Sequence, residues 1–236
     1  MEISTSRIVS LIKRDWILYN RNYTLGVLIL FVLCTIVMFL ISDEADPETP
    51  VDAPELVFIV MLYFVGSFHT LRSYREFSRH ADAVTYLGIP ASHIEKFLSR
   101  WIITLPVFLS VCIAVFSISY LLLSIIAEQT WGVIFTPFSS FEWSNFFKFI
   151  LFFIFFHSLF FLFALMFSKN SVTKSIIVFI GLWFVFILFN YYINSGSIQA
   201  DDSFKALLMS NYRYLMLLAV PILWFSSYSI LKAKTA

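Results

Sequence analysis

The chain has 236 residues and a formal net charge of +1; 60% of residues are hydrophobic, 19% aromatic and 13% charged, against roughly 25% charged in a soluble domain. That much apolar surface cannot be hidden in a water-soluble body of this size, so the chain reads as an all-α, polytopic membrane helical bundle, and its near-neutral charge excludes bulk attraction to nucleic acid. The six glycines, none closer than 15 residues to the next, exclude a Walker A loop, a G-x-G-x-x-G fingerprint and a G-x-S-x-G elbow, so any ATP must be bound by another chain.

In chain order, residues 5–21 come first. Ile8, Leu11, Ile12, Trp16 and Tyr19 recur at offsets of three and four, while Arg7, Ser10, Lys13 and Arg14 mostly take the other face. This pattern predicts a basic amphipathic helix in the membrane interface, with Trp16 at headgroup depth. It serves either as a plain anchor or as an elbow that clamps a moving bundle. The first apolar run, Tyr23–Ile41, is uncharged and is expected to act as an uncleaved anchor. Six acids then follow, Asp43, Glu44, Asp46, Glu48, Asp52 and Glu55, among Pro47, Pro50 and Pro54. They lack the ligand spacing of a cation site and read as a solvated connector.

The second run, Leu56–Leu71, has only sixteen residues, so crossing and re-entry both stay open. The third is Trp101–Ile126, the fourth Phe146–Phe167, the fifth Ser175–Ile193 and the sixth Tyr214–Leu231. Pro106 and Pro221 are positioned to kink the third and sixth. With both termini inside, the inner segments 1–22, 72–100, 168–174 and 232–236 hold thirteen of the sixteen Lys and Arg. The positive-inside rule therefore predicts six spans, N-in and C-in, in one membrane domain covering 1–236.

Chemistry needs gathered groups, and the inventory offers few. His69, His80, His93 and His157 lie at no metal-ligand spacing, and Cys34 and Cys112 sit in apolar runs as small hydrophobes. His157 is the one ionisable group deep in a span, and packing is favoured over proton relay because neutral imidazole can hydrogen-bond a neighbouring helix. Lys148 lies near a span edge and can snorkel. No span carries a carboxylate, which disfavours a self-contained ion-coupled carrier and leaves an embedded lipid enzyme without a catalytic cluster.

The longest inner connection, 72–100, is expected to be structured. Leu71–Tyr86 can extend the second span as a helix. Gly88 and Pro90 break it. Ser92 and Glu95 form an S-x-x-E capping box that starts a new helix, His93–Arg100, running into the third span.

At these residues a resemblance emerges. The stretch Tyr86-Leu87-Gly88-Ile89-Pro90-Ala91-Ser92-His93-Ile94-Glu95-Lys96-Phe97 is similar to the leucine-x-proline-x-serine…glutamate segment between spans two and three of ATP-binding-cassette permeases of the second type. About twelve residues carry the likeness; topology extends it along the chain. Gly88 departs from the family's frequent leucine, the outer segments Ala127–Asn145 and Asn194–Arg213 are short, and re-entrant helices near the last two spans are not evident.

The resemblance implies the permease subunit of an exporter in a bacterial inner (plasma) membrane, with no cofactor of its own. It implies pairing with an identical chain or a related permease, and docking on a separate cytoplasmic P-loop ATPase. Residues 72–100 would be the coupling segment, with Gly88 and Pro90 shaping its turn and Arg75, Glu76, Arg79, Asp82 and Glu95 touching or bracing the ATPase. Substrate would contact spans one, two and five, near Phe184, Phe186, Asn190, Tyr191 and Tyr192. The apolar, aromatic character of those faces favours a lipid, a hydrophobic peptide or an amphipathic drug, although packing and interface belts account for most of the aromatics. The competing expectation is a membrane interaction or assembly factor with no transport of its own.

Overall fold

The computed structural model describes residues 3–43, 54–78, 80–131, 143–167, 170, 172–181, 184 and 202–234, and every regular element among them is helical. In chain order these are α1 (Thr5–Asp43), α2 (Pro54–Leu71), a short 3-10 turn (Arg75–Ser78), α3 (His80–Leu87), α4 (His93–Ile102), a π-helical stretch (Ile103–Val107), α5 (Phe108–Trp131), α6 (Trp143–Met166), α7 (Val172–Gly181) and α8 (Asp202–Ala233). Three continuous helical stretches, Thr5–Leu40, His93–Thr130 and Phe147–Met166, are long and apolar enough to cross a bilayer; Val57–Leu71, Val172–Gly181 and Leu217–Ala233 are shorter apolar helices. The chain divides into two compact units, Met1–His69 with Ala91–Phe153, and Thr70–Pro90 with Ile154–Ala236.

In the first unit, α1 runs 39 residues without a break. At 1.5 Å per residue that is about 58 Å, nearly twice a hydrocarbon core of about 30 Å. The amphipathic segment 5–21 is therefore not a separate helix ahead of the first span but its continuation. Asn20, Arg21 and Asn22 make the junction polar, yet none breaks a helix, and the Thr24 hydroxyl donates back to the Asn20 carbonyl at 2.9 Å.

Helix α1 runs parallel to α4 and α5. Contacts climb both chains together, from Ser4 with Glu95, through Asp15 with Arg100, to Thr35 with Ser119. Leu30, Cys34 and Met38 of α1 are buried, as are Phe58 and Leu62 of α2, Cys112 and Phe116 of α5, and Phe153 of α6. Phe58 meets Phe116 edge-on at 5.0 Å. Gly66 on α2 is required by this packing: a Cβ there would lie 2.5 Å from the Phe153 ring and 2.9 Å from Phe108.

Between α4 and α5 the helix widens to π geometry around Pro106. Proline supplies no N–H and its ring crowds the carbonyl four residues back, so the helix takes up the strain as a bulge rather than ending.

In the second unit, Leu71–Tyr86 is not one helix. Helix α2 stops at Leu71, and three-residue hydrogen bonds follow, Ser73 N–H to Thr70 at 3.0 Å and Phe77 N–H to Tyr74 at 3.1 Å. The tight winding puts residues three apart on one side. Tyr74 and Phe77 stack at 5.8 Å, Tyr74 meets Phe161 edge-on at 5.4 Å, and Phe77 meets Tyr86 at 5.8 Å. Leu71, Phe160 and Phe163 form a buried cluster with Phe156 of α6 and Val178 and Phe179 of α7. Helix α8 begins at Asp202, so much of the expected outer segment Asn194–Arg213 is helical.

Candidate functional site

The first turn of α4 is the most constrained polar site among the described residues. Ser92 adopts an extended backbone (φ −66°, ψ 158°) and caps the helix reciprocally with Glu95. Its hydroxyl accepts the Glu95 N–H at 3.2 Å, and its own N–H donates to Glu95 Oε2 at 2.7 Å. The other carboxylate oxygen leaves the local motif. Glu95 Oε1 accepts the Ser4 N–H at 2.8 Å and the Arg7 Nε–H at 2.9 Å. Glu95 is fully buried, so one side chain both starts α4 and holds the beginning of α1. The Ser4 N–H first, then the Ser92 N–H, keep this carboxyl down at about 2.

A second ionic contact lies farther along both helices. Arg100 Nη2 is 3.2 Å from Asp15 Oδ1, with both side chains at most 3% exposed. Arg14 reaches the same oxygen at 3.5 Å. Lys96, one turn before Arg100, is also buried; desolvation, and then the like charge of Arg14, pull its ammonium below its ordinary value. Taking ions out of water is expensive and is repaid only by close geometry. The reward here is register: α1 cannot slide or rotate on α4 without breaking Glu95 and Asp15 contacts together.

Beside this clamp, in the same unit, lies a cavity of about 460 Å³ whose walls include Trp16 and Tyr23 of α1, His69 of α2, and Ile103 and Phe108 around the π-helical stretch. Trp16 and Tyr23 stack at 6.0 Å, and His69 stacks on Phe108 at 5.2 Å. The His69 ring also hydrogen-bonds the Ile103 backbone, a polar tie at the place where Pro106 disturbs the helix.

The expected site residues are distributed as follows. Gly88 ends α3, its N–H on the Val84 carbonyl at 2.9 Å. Gly88, Pro90 and Asp82 are exposed and Arg75 is half-buried. Glu76 is buried at 4% exposure and Glu95 is fully buried, so neither presents its carboxylate to solvent. Arg79, Asn190 and Tyr191 lie outside the described residues, as do Phe186 and Tyr192. Phe184 is exposed. His157 is fully buried and stacked on Phe161 at 5.5 Å. Among the described residues no three His, Cys, Asp or Glu side chains gather as metal ligands would.

Ser4, Arg7, Asp15, Lys96 and Arg100 are the members of this polar cluster that residue patterns did not single out. One signal was present: Asp15 falls four residues after Leu11 and seven after Ile8, on the apolar face of its helix. A charge there needs a cation on whatever helix packs against it. No protein-family model, no curated protein and no solved structure matches the chain.

Proposed function

We propose that this chain is the permease subunit of an ATP-driven exporter, driven by a separate cytoplasmic ATPase. Six spans with both termini inside, and residues 5–21 extending α1 toward the cytoplasm, belong to this reading. So do a dimeric assembly and a lipid-like or amphipathic substrate. One observation carries it: α4 starts at a fixed cap, is bolted to α1 by Glu95 and Asp15, and continues through the π-helical stretch into α5. A push on the exposed Gly88–Pro90 turn would then reach two long apolar helices together. The resemblance at Tyr86–Phe97 gives that push its source. In this scheme Asp82 and the turn meet the ATPase, while Glu76 and Glu95 brace the element from inside.

The burial of Glu76 and Glu95 also favours a second reading, because it leaves less charged surface for a docking groove. In it the chain is a non-transporting interaction or assembly factor. Gentle affinity purification from native membranes separates the two. A P-loop ATPase recovered near one-to-one, and lost on Asp82→Lys, is the expected result. Preparations in several detergents that hold no nucleotide-binding partner would overturn the permease reading and leave the second.

A further inference from the structure

The cavity beside α1 has no formal charge on its walls. Ile12 and Val27 of α1, Val65 of α2 and Val107 of the π-helical stretch are among its apolar members, and among the described residues no Asp, Glu, Lys or Arg lines its 460 Å³ or so. That volume falls within the roughly 300–1,000 Å³ of ligand sites. The α1 residues on the wall run from Ile12 to Leu30, about 27 Å along the helix. The space is thus drawn out along α1 rather than rounded, a shape that suits a hydrocarbon chain.

One polar group on these walls has its orientation fixed. The His69 ring stacks on Phe108 at 5.2 Å and meets Tyr23 edge-on at 6.0 Å. One ring nitrogen donates to the Ile103 carbonyl, in the π-helical stretch where Pro106 offers the helix no N–H. No carboxylate on the wall balances a cation, so the imidazole stands uncharged. Its other nitrogen is then a hydrogen-bond acceptor. His69 is half-buried and lines the cavity, and among the described residues no protein donor takes that second nitrogen. An acceptor on an apolar wall selects a ligand that donates. A hydroxyl pairs with it; a carboxylate, ketone or ester, which only accepts, leaves it unpaired.

We propose that this cavity binds an uncharged lipid alcohol, with its hydrocarbon chain laid along α1 and its hydroxyl donating to the second ring nitrogen of His69. The two ends of such a molecule match the wall. Tyr23, beside His69, opens the uncharged run Tyr23–Ile41, and Asn22 and Thr24 line the cavity at the same level, whereas Val27, Leu28 and Leu30 beyond them are apolar. The proposal goes beyond the permease reading, because such a lipid is held whether or not the chain transports anything.

Hexadecanol and hexadecyl methyl ether give the test, because they share a chain and differ in whether the oxygen can donate. The full-length protein in detergent is titrated with radiolabelled hexadecanol, and the ether is added as competitor. The wild type is expected to bind hexadecanol about five- to tenfold more tightly than the ether, the worth of one hydrogen bond. His69→Phe keeps a ring against Phe108 and removes the acceptor, so it should bind the two compounds alike. Gly26 lines the cavity, and a Cβ there meets nothing within 4 Å. Gly26→Leu should therefore narrow the space and weaken both compounds at least about tenfold, since even two displaced methylenes amount to that. Gly181→Leu, equally open but in the other unit, should change neither. If Gly26→Leu does not fold, Val111→Phe narrows the same cavity from α5; if His69→Phe does not fold, the wild-type preference for the alcohol decides alone. A wild type that binds neither compound or binds both equally, a preference that survives in His69→Phe, or a narrowed cavity that binds as well as the wild type would each overturn the proposal.

Discussion

Two short regions join long helices in this molecule, and they are fixed by opposite means. Residues 92–107 are held by charge: Glu95 takes three N–H donors, one of them within its own cap, and Asp15 meets Arg100 with both side chains out of water. Residues 71–87 are held by rings: Tyr74, Phe77, Tyr86 and Phe161 touch edge-on or stacked, with the Lys234 ammonium 5.0 Å above Phe77. Ionic contacts have one good geometry, and removing one member strands the other. Ring contacts are broad in angle and degrade gradually. The first region is therefore a bolt and the second a bearing.

The largest expected effect tests the bolt. Asp15→Leu should destabilise the protein by about 3–5 kcal/mol, because Arg100 is left buried without its carboxylate. Asp15→Leu with Arg100→Leu should recover most of that loss, as hydrophobic replacement of a whole buried pair often does. Denaturant unfolding in detergent measures both; costs that simply add would erase the contrast between the regions.

Next comes the bearing. Phe77→Ala should cost about 3 kcal/mol, while Phe77→Leu should cost only about 1 kcal/mol, as volume loss scales. If the leucine variant were as damaged as the alanine variant, the rings would be acting as a fixed contact after all.

A smaller effect depends on pH. Glu95 has its carboxyl lowered from 4.5 to about 2 in the folded protein. Its contribution is thus fully present above about pH 4.5 and is lost as pH falls through about 2. Melting midpoints of wild type and Glu95→Gln, compared from pH 7 to 2, should converge over that window; a constant gap would remove the carboxylate from the account. The smallest effect belongs to Lys234→Met, about 0.5–1 kcal/mol for a half-buried cation–ring contact.

The same contrast explains what could be read from residues alone. The S-x-x-E box at Ser92 and Glu95, the break at Gly88–Pro90 and the disturbance at Pro106 are local events with local causes, and each is where its residues place it. The pairing of Glu95 with Arg7 joins positions 88 apart, and no periodicity within one helix says which other helix it will meet. The Arg75–Ser78 turn lay in residues that would tolerate a helix. Packing of Tyr74 onto Phe161 decided against one, as tertiary contacts override weak local preference. The continuity of α1 was hidden for the converse reason: polar residues mark a change of environment without requiring a change of backbone.

That continuity has a mechanical consequence. A helix that leaves the bilayer without a joint carries the tilt of its buried half into the aqueous half. Membranes of different thickness impose different tilts on the same apolar stretch. For a rod extending roughly 30 Å past its pivot, a change of about 10° displaces the far end some 5 Å sideways. Ser4 and Arg7 ride on that end. With α1 placed across a bilayer as the permease reading has it, lipid thickness would be a load applied to Glu95, through a lever that the chain built by leaving out a hinge.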